Sequence, residues 1–394
     1  MSGGARRLAG FAIAAPGLEP WVARELTEFG VDAREAEGGA TFVGPLESVY
    51  RANLWSRLAS RVVVRVSEFR VRALGELARR TATVPWEEWL PNGARVRVRA
   101  SARKSRLYHT GAIAERILEG IDARVPVTAA PKVVVDDSER DDEDADEDAV
   151  LLLVRVAHDV CTISIDSSGA LLHRRGYRQA VAKAPLRETL AAAMLVAGGW
   201  RRELGLADPM CGAGTIAIEA AMMSRGMAPG LARAFAFETW PRHDADKWRA
   251  VRAQAGERVR PKAAAPILAS DRDQGAVAAA RENALRAGVE QDIAITRAPL
   301  SAAPLGAPGS WIVTNPPYGV RVGETGPLRD LYASLGRLAR DGDHPLVVLT
   351  AEAALERQLG VPLETVLSTR NGGIPVRVRR SANTASPDRP ESRT

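Results

Sequence analysis

The spacing of apolar positions changes several times along the chain. Each change predicts an element. "LAGFAIAAPG" (8–17) reads as a strand and turn, Leu18, Val22, Leu26 and Phe29 share one helical face, and "GGATFVG" (38–44) reads as a second strand. Residues 1–50 are thus expected to form a small α/β unit. "RLASRVVVRVSEFRV" (57–71) alternates Arg with Val as a strand does, and "ALGELARRTATVPWEEWL" (73–90) predicts a helix stopped by Pro85. "ARVRVRA" (94–100) alternates strictly, giving one apolar and one cationic face. "YHTGAIAERILEGIDARV" (108–125) predicts a further helix; "PKVVV" (131–135) and "AVLLLVRVAHDVCTISID" (149–166) predict strands. The expected result is an α+β domain over 51–168.

After a basic linker (169–185), the pattern becomes one of short apolar runs separated by helical stretches. The runs are "LGLADP", "PILAS", "DIAIT", "GSWIVTN" and "HPLVVLTA". This is the signature of a doubly wound, Rossmann-like α/β sheet, placed at 186–380. The polar end "SANTASPDRPESRT" (381–394) is expected to be disordered.

Charge sharpens this division. The run "DDSERDDEDADEDA" (136–149) carries −9 in a chain of net +6, so the remainder carries +15. Such a run predicts a solvated hairpin loop. Residues 51–110 alone hold fourteen Lys or Arg against four Glu, which points to a polyanionic partner. The two cysteines, Cys161 and Cys211, exclude a disulfide framework and suit a reducing cytoplasm. No apolar run is long enough to span a membrane. His109 and His173 lie far from any matching Cys or His, so no metal site is expected.

Three stretches carry candidate chemistry. "LADPMCGAGTIAIEAAMM" (206–223) is a strand, a glycine turn and a helix, in which Gly212 and Gly214 let backbone turn tightly under a ligand and Thr215 is placed to cap the helix. It lacks the G-x-G-x-x-G of a dinucleotide site and resembles the first loop of S-adenosylmethionine (SAM) methyltransferases. "ILASDRD" (267–273) places Asp271 at the next strand end, where a carboxylate holds ribose hydroxyls or caps the following helix. "TNPPYG" (314–319) follows a third strand. Pro316 and Pro317 stiffen this loop, Asn315 and the Pro316 carbonyl offer two acceptors, and Tyr318 offers a stacking face. Two acceptors beside a flat ring suit the exocyclic amine of a nucleobase, held for transfer by positioning and electrostatics.

With "RKSRLYHTGAIAER" (103–116), "SIDSSGALLHRRGYR" (164–178), "APLRETLAAAML" (184–195) and "APGLARAFAFETW" (228–240) in the same order, the chain resembles the THUMP-containing RNA (guanine-N2) methyltransferases over nearly its whole length. The resemblance implies a ferredoxin-like plus THUMP RNA-binding half over residues 1–168, a class I methyltransferase half, SAM as cofactor and the N2 amine of a guanine in RNA as target; a monomer is expected. It places the cofactor at Asp208, Pro209, Met210, Gly212, Gly214, Thr215, Asp271 and Asn315, and catalysis at Asn315, Pro316, Pro317 and Tyr318. RNA is expected on Arg103, Lys104, Arg106 and Tyr108, and on Arg174, Arg175 and Arg178 of the linker. Two departures from the family pattern are expected, one being a single methyltransferase domain where some large-subunit rRNA enzymes of the family carry a second. Where the family carries an acid after the third strand, against the SAM adenine, this chain has Arg297, Ala298 and Pro299. 23S ribosomal RNA is the first expectation for the substrate and tRNA the second. A non-catalytic RNA-binding assembly factor is the alternative from another class.

Overall fold

The computed structural model describes residues 7–129, 149–179, 186–318 and 325–382. The strand expected at "PKVVV", the acidic run up to Asp148 and the tail beyond residue 382 lie outside these residues.

The first half is built on one eight-stranded sheet. Its strands are β1 (Leu8–Ala14), β2 (Ala33–Ala36), β3 (Gly39–Gly44), β4 (Ala59–Arg70), β5 (Ala94–Arg103), β6 (Val127–Ala129), β7 (Val150–Ala157) and β8 (Val160–Asp166). They lie in the order β2-β3-β1-β4-β8-β7-β5-β6. Helices α1 (Glu19–Glu28), α2 (Leu46–Trp55), α3 (Leu74–Thr81) and α4 (Thr110–Asp122) complete it. Twelve-residue β4 pairs with β1 on one side and β8 on the other. The ferredoxin-like and THUMP units therefore share a single sheet, and the boundary expected at residue 50 falls inside α2. Composition shifts there without a break in pairing, because a strand paired on both edges belongs to both units.

Sequence periodicity locates α1 well: Leu18, Val22 and Leu26 are buried, and Phe29 stacks on Trp55 with ring centroids 4.3 Å apart. Helix α3 ends at Thr81, earlier than the stop expected at Pro85. Proline disfavours helical geometry in the residue before it, and Thr83 and Val84 are β-branched. The chain instead makes a short 3-10 turn that buries Trp86. On β5 the cationic face is only partly open, since Arg97 is buried.

The second half contains β9 (Leu206–Asp208), β10 (Ile267–Asp271), β11 (Ile293–Arg297), β12 (Trp311–Thr314), β13 (Leu346–Thr350), β14 (Leu363–Asn371) and β15 (Ile374–Ser381). Their order is β11-β10-β9-β12-β13-β15-β14. The first five are parallel, and β15 joins β13 antiparallel. Helices α5 (Glu188–Gly198), α6 (Thr215–Ser224), α7 (Ala245–Glu257), α8 (Gln274–Arg286), α9 (Thr325–Asp341) and α10 (Ala353–Gln358) complete this half. Strands β9 and β12 are adjacent, with chain order running outward in opposite directions from them. That is the switch point at which open α/β sheets bind ligands.

The halves meet through an aromatic cluster and buried ions. Tyr50 of α2 packs on Phe237 and Trp248, and its hydroxyl lies 3.0 Å from His243 Nδ1. Arg175 pairs with Glu219 of α6 at 3.3 Å, both fully shielded, and Tyr177 donates to the same carboxylate at 3.1 Å. Arg175 also donates to the Arg57 carbonyl at 2.8 Å. Glu25 accepts from the backbone N–H groups of Arg57 and Leu58. Among the described residues no helix is long and apolar enough to cross a membrane.

Candidate active site

Three strand ends converge at the switch point. Asp208 closes β9, Asp271 closes β10 and Thr314 closes β12. Asp208 is buried, and its Oδ1 accepts from the Thr314 hydroxyl at 2.7 Å and the Met210 N–H at 3.3 Å. This carboxylate thus ties the glycine loop to the residue before Asn315. Burial pushes its pKa up to about 7, Thr314 and Met210 oppose the rise, and the Asp271 charge adds to it. Through these bonds on Oδ1 the carboxylate holds the two loops together.

The loop after β9 is pinned by its backbone. Cys211 N–H donates to the Ser270 carbonyl at 3.0 Å, and Gly212 N–H to Asp271 Oδ2 at 3.0 Å. Asn283 of α8 donates to the Ala213 carbonyl at 3.1 Å. Gly212 and Gly214 both have positive φ, 52° and 83°. A Cβ on Gly214 would also meet Ala280 at 3.0 Å, so α8 packing requires glycine there. A Cβ on Gly212 would meet nothing within 4 Å, so only its positive φ calls for glycine there. Pro209 and Thr215 are buried, and Cys211 is a small buried side chain beneath the loop. Thr215 does not cap α6: the N-cap is Gly214, without a side-chain bond. The left-handed turn leaves the Thr215 hydroxyl already inside the helix.

Asp271 does not cap α8 either. Asp273 is the N-cap and accepts from Ala276 N–H at 2.9 Å. Half-buried Asp271 accepts from Gly212 and Asp273 N–H groups, one on each oxygen. Each oxygen keeps a lone pair for a further donor, as a ribose hydroxyl requires. Beyond β11, Arg297 donates to the Arg272 carbonyl at 3.2 Å and Ala298 N–H to the Asp271 carbonyl at 3.1 Å.

In the loop after β12, Pro316 is buried, Pro317 exposed and Tyr318 half-buried. Asn315 Oδ1 is buried and has no hydrogen-bond partner among the described residues. A buried amide oxygen without a donor is costly, about 1–3 kcal/mol, unless a ligand supplies one. The Tyr318 hydroxyl accepts from Asn371 Nδ2 at 2.8 Å. Asn371 ends β14 and belongs to none of the sequence motifs. The only sequence signal for it is an N-G-G turn between two alternating runs. Gly319 lies outside the described residues.

The expected RNA face divides. Arg103, Lys104, Arg106 and Tyr108 are exposed, and Tyr108 lies against His109 with ring centroids 4.1 Å apart. Asp159 shapes this loop by accepting from Arg106 N–H at 2.9 Å and from Arg72 at 3.0 Å. The linker cations are different. Arg175 is buried in its Glu219 pair, and Arg178 pairs with Glu188 at 2.9 Å while donating to the Leu186 carbonyl. Both guanidiniums are engaged inside the protein, so they are corrected from surface cations to internal ties. Arg174 is half-exposed. Among the described residues no group of three His, Cys, Asp or Glu could hold a metal ion.

Comparison with known proteins adds to this geometry. Family models match three successive segments: an RlmL ferredoxin-like domain at 10–63, a THUMP domain at 71–166 and an RMKL-like methyltransferase domain at 175–360. A putative RNA methyltransferase of Synechocystis sp. is 32% identical, with 93% of this chain and 94% of the relative covered. The ribosomal RNA large subunit methyltransferase K/L of Syntrophotalea carbinolica is 37% identical over 93% of this chain but 52% of the relative. The chain therefore spans about half the length of that enzyme. Among solved structures, SMU.472, a putative methyltransferase complexed with SAH, superposes with a TM-score of 0.83 at 28% identity, covering 96% of this chain and 99% of its own.

Proposed function

The chain belongs to the THUMP-containing, RMKL-like methyltransferase family, and from that premise we propose that it methylates the exocyclic N2 amine of a guanine in 23S ribosomal RNA. The observation that carries this reading is the unpartnered, buried Asn315 Oδ1 beside Tyr318, at the strand end next to the glycine loop.

SAM supplies an electrophilic methyl group when bound, and the residues present fit it. The open side of Gly212 leaves room for a ligand against the backbone, and Asp271 keeps acceptor capacity toward hydroxyls. After β11 no carboxylate follows Arg297, so adenine recognition falls to backbone groups there.

Asn315 Oδ1 and the Pro316 carbonyl accept the two amine hydrogens. A conjugated amine is a weak nucleophile, and holding both hydrogens out of the base plane frees its lone pair. Tyr318 stacks the base and keeps water away. The target must leave its helix to reach this ring, so unpaired or weakly paired guanines are favoured. No strong base is needed, because the acceptors already stabilise the partial positive charge that develops on the amine.

The test is Asn315→Ala. Transfer from SAM to 23S RNA is expected to fall by about 10²-fold or more, while RNA affinity stays within about threefold, less than one hydrogen bond's worth. Unchanged turnover would overturn the amine-clamp reading. SAM binding absent from the wild-type protein would favour a non-catalytic RNA-binding factor.

A further inference from the structure

Tyr318 sits in a stretch without ladder partners, downstream of two prolines. The prolines fix the backbone on its N-terminal side only. What fixes the far end of the ring is a residue 53 positions away: Asn371 Nδ2 donates to the Tyr318 hydroxyl at 2.8 Å. We propose that Asn371 is a positioning residue for methyl transfer, which holds the Tyr318 ring at the angle needed to stack the target base. This inference rests on the amine-clamp reading above.

The fold gives Asn371 a fixed place from which to do so. It is the last residue of β14 and pairs directly with Ile374 of β15. Only Gly372 and Gly373 lie between, both at positive φ, 56° and 89°. A two-residue turn of this kind matches the twist of the flanking strands and leaves the tip little freedom. The hairpin is held on two further sides. Strand β15 pairs with β13 inside the sheet. The turn at Gly17 of the first half lies so close to β14 that a Cβ there would come within 2.7 Å of the Ser368 carbonyl.

Residue choice points the same way. Asparagine is disfavoured in strands, and a β-branched or aromatic residue would suit the pairing with Ile374 better. Asn371 also suits the turn that it precedes, but its side chain is committed to the tyrosine on a distant loop. The bond also leaves the phenol proton free, since the Tyr318 oxygen is the acceptor. Methyl transfer needs the amine in line with the methyl group, and small misplacements are costly. Loss of Asn371 therefore acts on the transfer step rather than on cofactor affinity.

The experiment is a double-mutant cycle with Asn371→Ala and Tyr318→Phe, read as single-turnover transfer from SAM to 23S RNA of a strain lacking the protein. Each single change is expected to slow transfer about three- to tenfold, the worth of one hydrogen bond, with the double variant no slower than the worse single. SAM affinity by calorimetry stays at the wild-type value. Asn371→Ala transferring at the wild-type rate, or a double variant slowed by the product of the two singles, would overturn the inference. A second arm does not depend on activity. The chain has five tyrosines, so 3-fluorotyrosine labelling gives five fluorine resonances, with that of Tyr318 assigned by its loss in Tyr318→Phe. Asn371→Ala should shift or broaden that resonance and leave the other four in place. If the wild-type protein methylates no RNA, the functional reading fails. A Tyr318 resonance unmoved by Asn371→Ala sinks the positioning role in either case.

Discussion

At the residue scale, the candidate site combines one buried carboxylate, Asp208, with the buried amide oxygen of half-buried Asn315. Asp208 titrates near 7 in the folded chain against an ordinary value of 3.8, because burial outweighs its hydrogen bonds. The folded state therefore binds more protons than the unfolded state between those values. Asp208 contributes stability below pH 3.8, and that contribution is lost as pH rises toward about 7, with no further change above. Glu188, pushed to about 7 chiefly by burial, has the same sign. Asp208→Asn keeps the Oδ1 acceptor for Thr314 and Met210 and removes the titration. The difference in melting temperature between variant and wild type should thus grow in the variant's favour from pH 4 to 7, then level off. A difference independent of pH would show that Asp208 does not titrate in that window. Residues in contiguous motifs are legible in the sequence: Asn315, Asp271 and the two glycines stand where the pattern puts them. Arg175 and Arg178 are not, because a run of cations reads the same whether its guanidiniums face water or a buried glutamate. Thr215 misleads for a related reason, since a hydroxyl before an apolar run can be either the cap or the first helical residue.

At the element scale, alternation and helical spacing locate the main strands and helices, while pairing partners remain hidden. Strand β4 gives one apolar pattern but serves two units, which only the sheet register reveals. The β14–β15 hairpin escapes sequence reading although its turn signal is present, and with it Asn371. The loop after β5 carries the RNA prediction. Arg103 is 63% exposed and lies 3.9 Å from Glu37, and Lys104 is exposed with a φ of 49°. Replacing Arg103 and Lys104 together by Ala should weaken RNA binding and reduce the salt slope by about 0.7–0.9 for each phosphate that is no longer neutralised. Filter-binding titrations over a range of salt check this, and an unaltered slope would remove the pair from the RNA face.

At the scale of the whole molecule, the ferredoxin-like and THUMP half packs against the methyltransferase half. The Arg175–Glu219 pair joins the linker to α6, the helix that begins at the glycine loop. Glu219→Gln would leave a buried guanidinium uncompensated, at a cost of about 3–5 kcal/mol. Denaturant unfolding should show that loss, and a change under about 1 kcal/mol would mean that the pair behaves as a solvated one. On the proposed function, this packing would fix the distance from the cationic loop to Tyr318, so that where the RNA is gripped decides which guanine reaches the clamp. The measurement that tests this account most directly is transfer of labelled methyl from SAM to total RNA of a strain lacking the protein. The 23S, 16S and tRNA fractions are separated and digested to nucleosides afterwards. The account predicts label in the 23S fraction as N2-methylguanosine. Label confined to tRNA, label on another nucleoside, or RNA bound without any label would contradict it.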